Sequence, residues 1–143
     1  KLVKKYPDQI VGVKDSTYNL FESLKIDNFS IFPGSELNLL KGLEIGCAGI
    51  ITATCNVTAQ LSRKVYDDFF SGKEQSYNQK LCDVRKSFDK YNLISGLHSF
   101  YLKENEIYKN ILPPLKLLDS SEEKDLIENL KNLNFKLKSK MAA

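Results

Sequence analysis

The stretch Ile10-Val11-Gly12-Val13-Lys14-Asp15 decides how the rest of the sequence is read. Its apolar residues run without alternation, as in a parallel strand covered on both faces, and a lysine ends the run. Strand ends of this kind are where open α/β sheets and α/β barrels keep their chemistry. An amine held half-dry there loses part of its preference for the charged form, and its pKa falls from about 10.4 toward neutrality. A neutral lysine can attack a ketone and form a Schiff base. The competing reading is a lysine that lays its stem along the strand end and keeps its head in water. Asp15 follows directly, so strand alternation turns it to the opposite face. A cap or a rim hydrogen bond suits it better than proton transfer.

Working outward, three βα units follow one another at intervals of roughly 20 residues. The expected strands are residues 10–14, 29–32 and 49–52. A helix over 18–24 is expected after the first, with Asp15, Ser16 and Thr17 available as caps. Pro33-Gly34 turns the chain, and Ser35 caps a helix with Leu37, Leu40, Leu43 and Ile45 on one stripe. Asn56 or Thr58 opens a longer helix through Leu61, Val65, Phe69 and Phe70, stopped by Ser71-Gly72. The aromatic set Tyr66, Phe69, Phe70, Phe88 and Tyr91 reads as helix packing. Beyond it, helices are expected over 77–91 and 97–107, and a last one behind a capping box Ser120-x-x-Glu123, with Leu126, Ile127, Leu130 and Leu133 inward. Residues 136–143 are expected to fray.

Three parallel strands followed by helices leave hydrophobic edges that proteins do not normally keep open. An eight-stranded α/β barrel takes about 250 residues. The expected architecture is therefore α/β: the last three βα units of a barrel over residues 1–72, then a helical domain over 73–143. The absence of an initiator methionine also fits a processed or truncated chain.

Composition narrows the function. At 143 residues, 42% hydrophobic and 27% charged, the chain reads as a globular domain. Its net charge of +3 gathers at the two ends, which does not suit a nucleic-acid-binding face. No apolar stretch approaches the ~20 residues of a membrane span. No secretory leader opens the sequence, so the cytoplasm is the expected location. Cys47, Cys55 and Cys82 are an odd count without a C-x-x-C pair, in keeping with reduced thiols. Cys55 lies near the presumed rim and is a candidate reactive thiol. The single histidine, His98, reads as a helix residue, and neither a metal nor an organic cofactor is expected.

The combined motifs resemble the dihydrodipicolinate synthase / N-acetylneuraminate lyase family of class I aldolases. Val11-Gly12-Val13-Lys14-Asp15-Ser16 is similar to that family's Schiff-base strand. Phe32-Pro33-Gly34-Ser35-Glu36 looks like its next strand-end turn. The stretch from Gly46 to Val57 is similar to its final strand, and Pro113-Pro114-Leu115 to its closing segment. The resemblance implies a (β/α)8 barrel of which this chain holds strands six to eight. It implies that Lys14 condenses with pyruvate or another 2-ketoacid, for carbon–carbon bond formation or cleavage with an aldehyde. It also implies substrate-binding positions at Gly34, Ser35, Glu36 and Ile51, and a homotetramer. The family's carboxylate-binding G-T-T-G-E loop and its proton-relay tyrosine match nothing here, so the missing N-terminal half of the barrel is an expected partner. The fragment is expected to be inactive alone. The alternative is a non-catalytic α/β module that binds phosphate at helix N-termini near Gly34 and Asn56, or that pairs its open edges with another chain.

Overall fold

A computed structural model describes residues 1–136. The element order is α1 (Leu2–Lys5), β1 (Gly12–Asp15), β2 (Ser30–Pro33), a 3-10 turn (Glu36–Asn38), α2 (Leu39–Glu44), α3 (Cys55–Phe70), α4 (Asn78–Asp89), α5 (Leu93–Leu102), a second 3-10 turn (Glu106–Lys109) and α6 (Ser120–Asn132). The fold is α/β. The stretch 137–143, including most of the expected frayed end, lies outside the described residues.

β1 and β2 are parallel, with Val13 opposite Ile31, Lys14 opposite Phe32 and Asp15 opposite Pro33. Alternation sorts the two faces. Asp15, Ile31 and Pro33 are buried, with Val13 half-buried behind them, and Phe21 and Cys47 close over Ile31. On the other face Lys14 is exposed and Phe32 only half-buried. The sheet is thus covered on one face, not both as the apolar run suggested.

The expected third strand is not a regular strand. Residues 48–51 lie beside β2, held by the Ala48 N–H on the Ile31 carbonyl (3.1 Å) and the Ile51 N–H on the Pro33 carbonyl (3.2 Å). A parallel ladder needs a return bond from the amide of residue 33, and a proline has none. The two bonds are also three residues apart on one side and two on the other. Gly49, at φ +148°, takes up the extra residue, a conformation that favours glycine.

The expected helix over 18–24 is absent, because Asp15 gathers the local amides instead. Its carboxylate accepts from the N–H groups of Thr17 and Tyr18 on one oxygen and of Leu20 and Phe21 on the other. Tyr18, at φ +60°, breaks any helical run. Other boundaries move by a few residues for similar reasons. α3 begins at Cys55. α5 begins at Leu93, where Asn92 accepts from the amides of Ile94 and Ser95, and it ends at Leu102; Asn105 caps the separate turn that follows. The capping box is Asp119 with Glu122, one residue earlier than expected.

The helices pack in two clusters. Leu39, Leu43, Val65 and Leu81 join α2, α3 and α4. Val57, Val84, Phe88, Leu97, Leu126 and Leu130 join α3 through α6. Leu126 and Leu130 face inward as expected; Phe70 does not, being 62% exposed. The first cluster crosses the expected boundary at 72/73, so α4 shares its core with the βα segment.

Candidate active site

The carboxyl ends of β1, β2 and residues 48–51 meet at one rim. Lys14 is the penultimate residue of β1, on the uncovered face opposite Phe32. The half-dry setting expected for its amine is not built by these residues, since the side chain is exposed. Asp15 points the other way and is buried. Burial alone would raise its pKa, but the hydroxyl of Thr17 and the amides of Leu20, Phe21 and Thr17 outweigh that and hold the carboxyl below the usual range. It is thereby the organiser of the loop behind Lys14.

Gly34 donates its N–H to the Asp15 carbonyl at 2.8 Å, which seats the second turn directly on the end of β1. A Cβ at residue 34 would stand 3.2 Å from that carbonyl oxygen and 3.2 Å from the Ser16 Cα. Both atoms are backbone, so the chain's own crossing calls for a glycine. Ile51, 48% exposed, is tied through its N–H to Pro33, the neighbour of Gly34. Lys14, Gly34 and Ile51 therefore share the rim.

Ser35 and Glu36 face away from it. Ser35 is buried and its hydroxyl accepts from the Leu37 N–H, a cap. Glu36, expected from the resemblance at a substrate-binding position, is completely buried here with both oxygens engaged by this chain's own side chains. One oxygen accepts from the hydroxyls of Thr52 (2.7 Å), Thr54 (2.6 Å) and Thr58 (2.8 Å). The other accepts from Arg85 Nη1 at 2.9 Å. Burial would raise the Glu36 pKa, yet the bonds from Thr54, Thr52, Arg85 and Thr58 outweigh it and keep the carboxyl ionised below its ordinary value. Arg85 also donates from Nε to Asp89 at 2.8 Å. This buried pair ties the rim turn and the start of α3 to α4.

Sequence reasoning missed that pair, although one signal was present. Leu81, Val84, Arg85 and Phe88 fall at i, i+3, i+4 and i+7, so an arginine lies inside an apolar helical stripe and must find a buried acceptor. The phosphate alternative finds little support. The Leu37 amide is taken by Ser35, and the first amide of α3, on Cys55, donates to Thr52 at 3.1 Å. Cys55 is half-buried, its sulfur 3.7 Å from the Ser62 hydroxyl. His98 sits on α5 as expected, with Nδ1 2.9 Å from the Tyr108 carbonyl oxygen. Among the described residues, no cluster of three or more histidine, cysteine or carboxylate side chains could hold a metal, and no helix is long and apolar enough to cross a membrane.

Comparison with known proteins agrees with the motifs. A family model described as the dihydrodipicolinate synthetase family matches residues 1–133. The 2-dehydro-3-deoxy-D-gluconate/2-dehydro-3-deoxy-phosphogluconate aldolase of Picrophilus torridus is 27% identical over 123 residues, covering 80% of this chain and 46% of that protein. The 4-hydroxy-tetrahydrodipicolinate synthase of Wigglesworthia glossinidia brevipalpis is 28% identical over 118 residues, covering 79% and 30%. The crystal structure of dihydrodipicolinate synthase from Aquifex aeolicus superposes with a TM-score of 0.79 at 22% identity, over 96% of this chain and 50% of that one. The chain thus spans half or less of the length of these relatives.

Proposed function

Because the chain belongs to the dihydrodipicolinate synthetase family, whose named relatives include an aldolase and a synthase, we propose that it is the C-terminal part of a pyruvate-dependent class I aldolase or lyase. Residues 1–72 would be the last three βα units of a barrel and residues 73–143 the helical domain behind it. The observation that carries this reading is the position of Lys14: an amine on the uncovered sheet face, at the rim where the Gly34 turn and Ile51 converge. That face would be the barrel interior, and the cover Lys14 needs would come from strands this chain does not include.

In the reaction, Lys14 Nζ adds to the C2 carbonyl of the ketoacid and water leaves, giving an iminium. Loss of a C3 proton yields an enamine, whose carbon bonds to the aldehyde; water then releases product and regenerates the amine. Cleavage runs the same steps backward. Proton transfer falls to groups in the part of the relatives that this chain does not span. The fragment alone is therefore expected to bind without turning over. Gly34 would set its backbone beside the ketoacid and Ile51 would line the same pocket. Ser35 and Glu36 would act from behind, Ser35 by starting the turn and Glu36 by anchoring the last strand.

The test is borohydride reduction with pyruvate followed by peptide mass mapping, on the chain alone and mixed with the N-terminal half of the Picrophilus torridus relative. Preferential gain at Lys14 of the mass of pyruvic acid less one oxygen, abolished by Lys14→Met, is the expected result. Absence of a Lys14 adduct in both samples would remove the nucleophile, and the aldolase reading with it.

A further inference from the structure

Residues 48–51 reach the rim on two backbone hydrogen bonds to β2, from the amides of Ala48 and Ile51. Two such bonds set the distance from β2 but hold tilt and slide poorly, since Pro33 has no N–H to return. Ile50 packs inward against the cluster of Leu39, Leu43, Val65 and Leu81. Ile51 beside it is 48% exposed, on the side that carries Lys14. Something besides the backbone must therefore fix where Ile51 stands.

That support comes from behind the sheet. Thr52, next in the chain to Ile51, donates its hydroxyl to Glu36 at 2.7 Å and accepts the Cys55 N–H at 3.1 Å. It couples Ile51 to the carboxylate and to the first turn of α3 at once. Thr54 donates to the same Glu36 oxygen at 2.6 Å. Thr58 has a second acceptor in the Thr54 carbonyl at 3.0 Å, whereas the Thr52 and Thr54 hydroxyls otherwise meet each other, at 3.2 Å. Arg85 closes the arrangement from α4, with Nη1 2.9 Å from the other Glu36 oxygen and 3.3 Å from the Thr54 hydroxyl. Without that cation the buried carboxylate would take up a proton or turn away. All of these groups belong to this chain, and Glu36, Thr54 and Thr58 are already shut off from water. Strands laid on the open face leave the set as it is.

We propose that Glu36 and Arg85 are positioning residues for the Schiff-base site: through Thr52 they fix Ile51 at the rim that carries Lys14, so that a residue of α4 governs how a ketoacid is held against the amine. Service to that reaction rests on the aldolase reading above; the placing of Ile51 by the pair does not. This role is separable from the stability the pair confers. An apolar pair can refill the interior, but it offers Thr52 no acceptor.

The experiment is amide hydrogen exchange on the 143-residue chain, read as the rate at Ile51 relative to that at Gly34, whose N–H is held by the Asp15 carbonyl. Global opening moves both amides together, so the ratio reports local placement. Three variants are compared with the parent: Glu36→Leu/Arg85→Met, which refills the interior; Thr52→Val, which leaves the ion pair in place; and Leu126→Ala, a loss of core in the other cluster. The first two should raise the ratio about tenfold or more, and Leu126→Ala should leave it unchanged whatever its cost in stability. Borohydride trapping with pyruvate, run as above, is then scored as the Lys14 adduct relative to that on the exposed Lys41. The first two variants should lower this second ratio about 3- to 10-fold. An Ile51 ratio unchanged in both of them, or one that merely tracks stability through all three, overturns the proposal. So does an accelerated Ile51 with trapping at Lys14 intact. If the parent traps no pyruvate at Lys14, the aldolase reading falls on that result, and the exchange ratio still decides whether the pair places Ile51.

Discussion

Replacing Glu36 by glutamine should cost this fold a large share of its stability. The carboxylate has no exposure to solvent and Arg85 is only 6% exposed, so water cannot replace either partner. The glutamine amide has one oxygen where the carboxylate had two. If that oxygen serves the three threonine hydroxyls, the NH2 end faces Arg85, donor against donor. If the amide is turned over, Arg85 is satisfied and the NH2 end faces the hydroxyls, which must rotate and abandon their present bonds. Breaking a buried pair from one side typically costs about 3–5 kcal/mol, against a total of about 5–15 kcal/mol for a domain. With a urea slope of about 1–3 kcal/mol per molar, the midpoint should fall by about 2 M.

The assay is urea unfolding followed by circular dichroism on the parent, Glu36→Gln, Arg85→Met and the double variant Glu36→Leu/Arg85→Met. The double variant should recover much of what Glu36→Gln loses, since an apolar pair leaves no orphaned charge. pH adds an independent check. Glu36 has its folded pKa below the ordinary 4.5, so the unfolded chain binds more protons between the two values and stability rises with pH through that window. The contribution is fully present above the ordinary value and disappears as acid carries the pH below the folded one. Glu36→Gln should remove that limb. A loss under about 1 kcal/mol, the worth of an exposed surface pair, would refute the reasoning.

Asp15→Ala should cost about 2–3 kcal/mol by stripping the loop amides of a charged acceptor, and hydrogen exchange at Leu20 and Phe21 should accelerate. Because the Asp15 pKa is also depressed, that protection in the parent should fade as the pH drops below the ordinary carboxylate range. Gly34→Ala should destabilise by about 1–3 kcal/mol, because its Cβ meets backbone at 3.2 Å on two sides; an unchanged melting temperature would mean the turn yields freely. Leu81→Ala should cost about 2–5 kcal/mol and do so in a single unfolding transition, since Leu81 fills a cluster shared by both sides of residue 72. Two separate transitions would contradict the shared core.

The part of the fold written in apolar periodicity was readable. The stripes of α4 and α6 announced their inward faces, that of α3 only in part, since Val65 is buried but Phe70 points outward, and the Pro33-Gly34 turn and the run before Lys14 announced two strands. What was not readable depends on side chains reaching across the chain. Asp15 looked like a helix cap, but a helix consumes its own amides, whereas this carboxylate collects four of them and leaves a loop. Residues 49–52 read as a strand because apolar composition says nothing of the missing N–H at residue 33 on the neighbour. At the rim, Lys14 and Gly34 were recognisable from their local pattern. Glu36 was not, because its partner lies 49 residues away on α4.

The segment beside β2 hangs on two backbone hydrogen bonds, while three of its side-chain neighbours in sequence or helix, Thr52, Thr54 and Thr58, are pinned to one carboxylate. Alignment of that seam is thus delegated from the peptide ladder to a side chain. A backbone ladder is nearly indifferent to substitution, but a side-chain anchor can be retuned by one mutation, here at Glu36 or on the distant face of α4. The helices behind the sheet consequently hold a lever on the rim: changes in their packing can shift Ile51 and Thr52 without touching a strand.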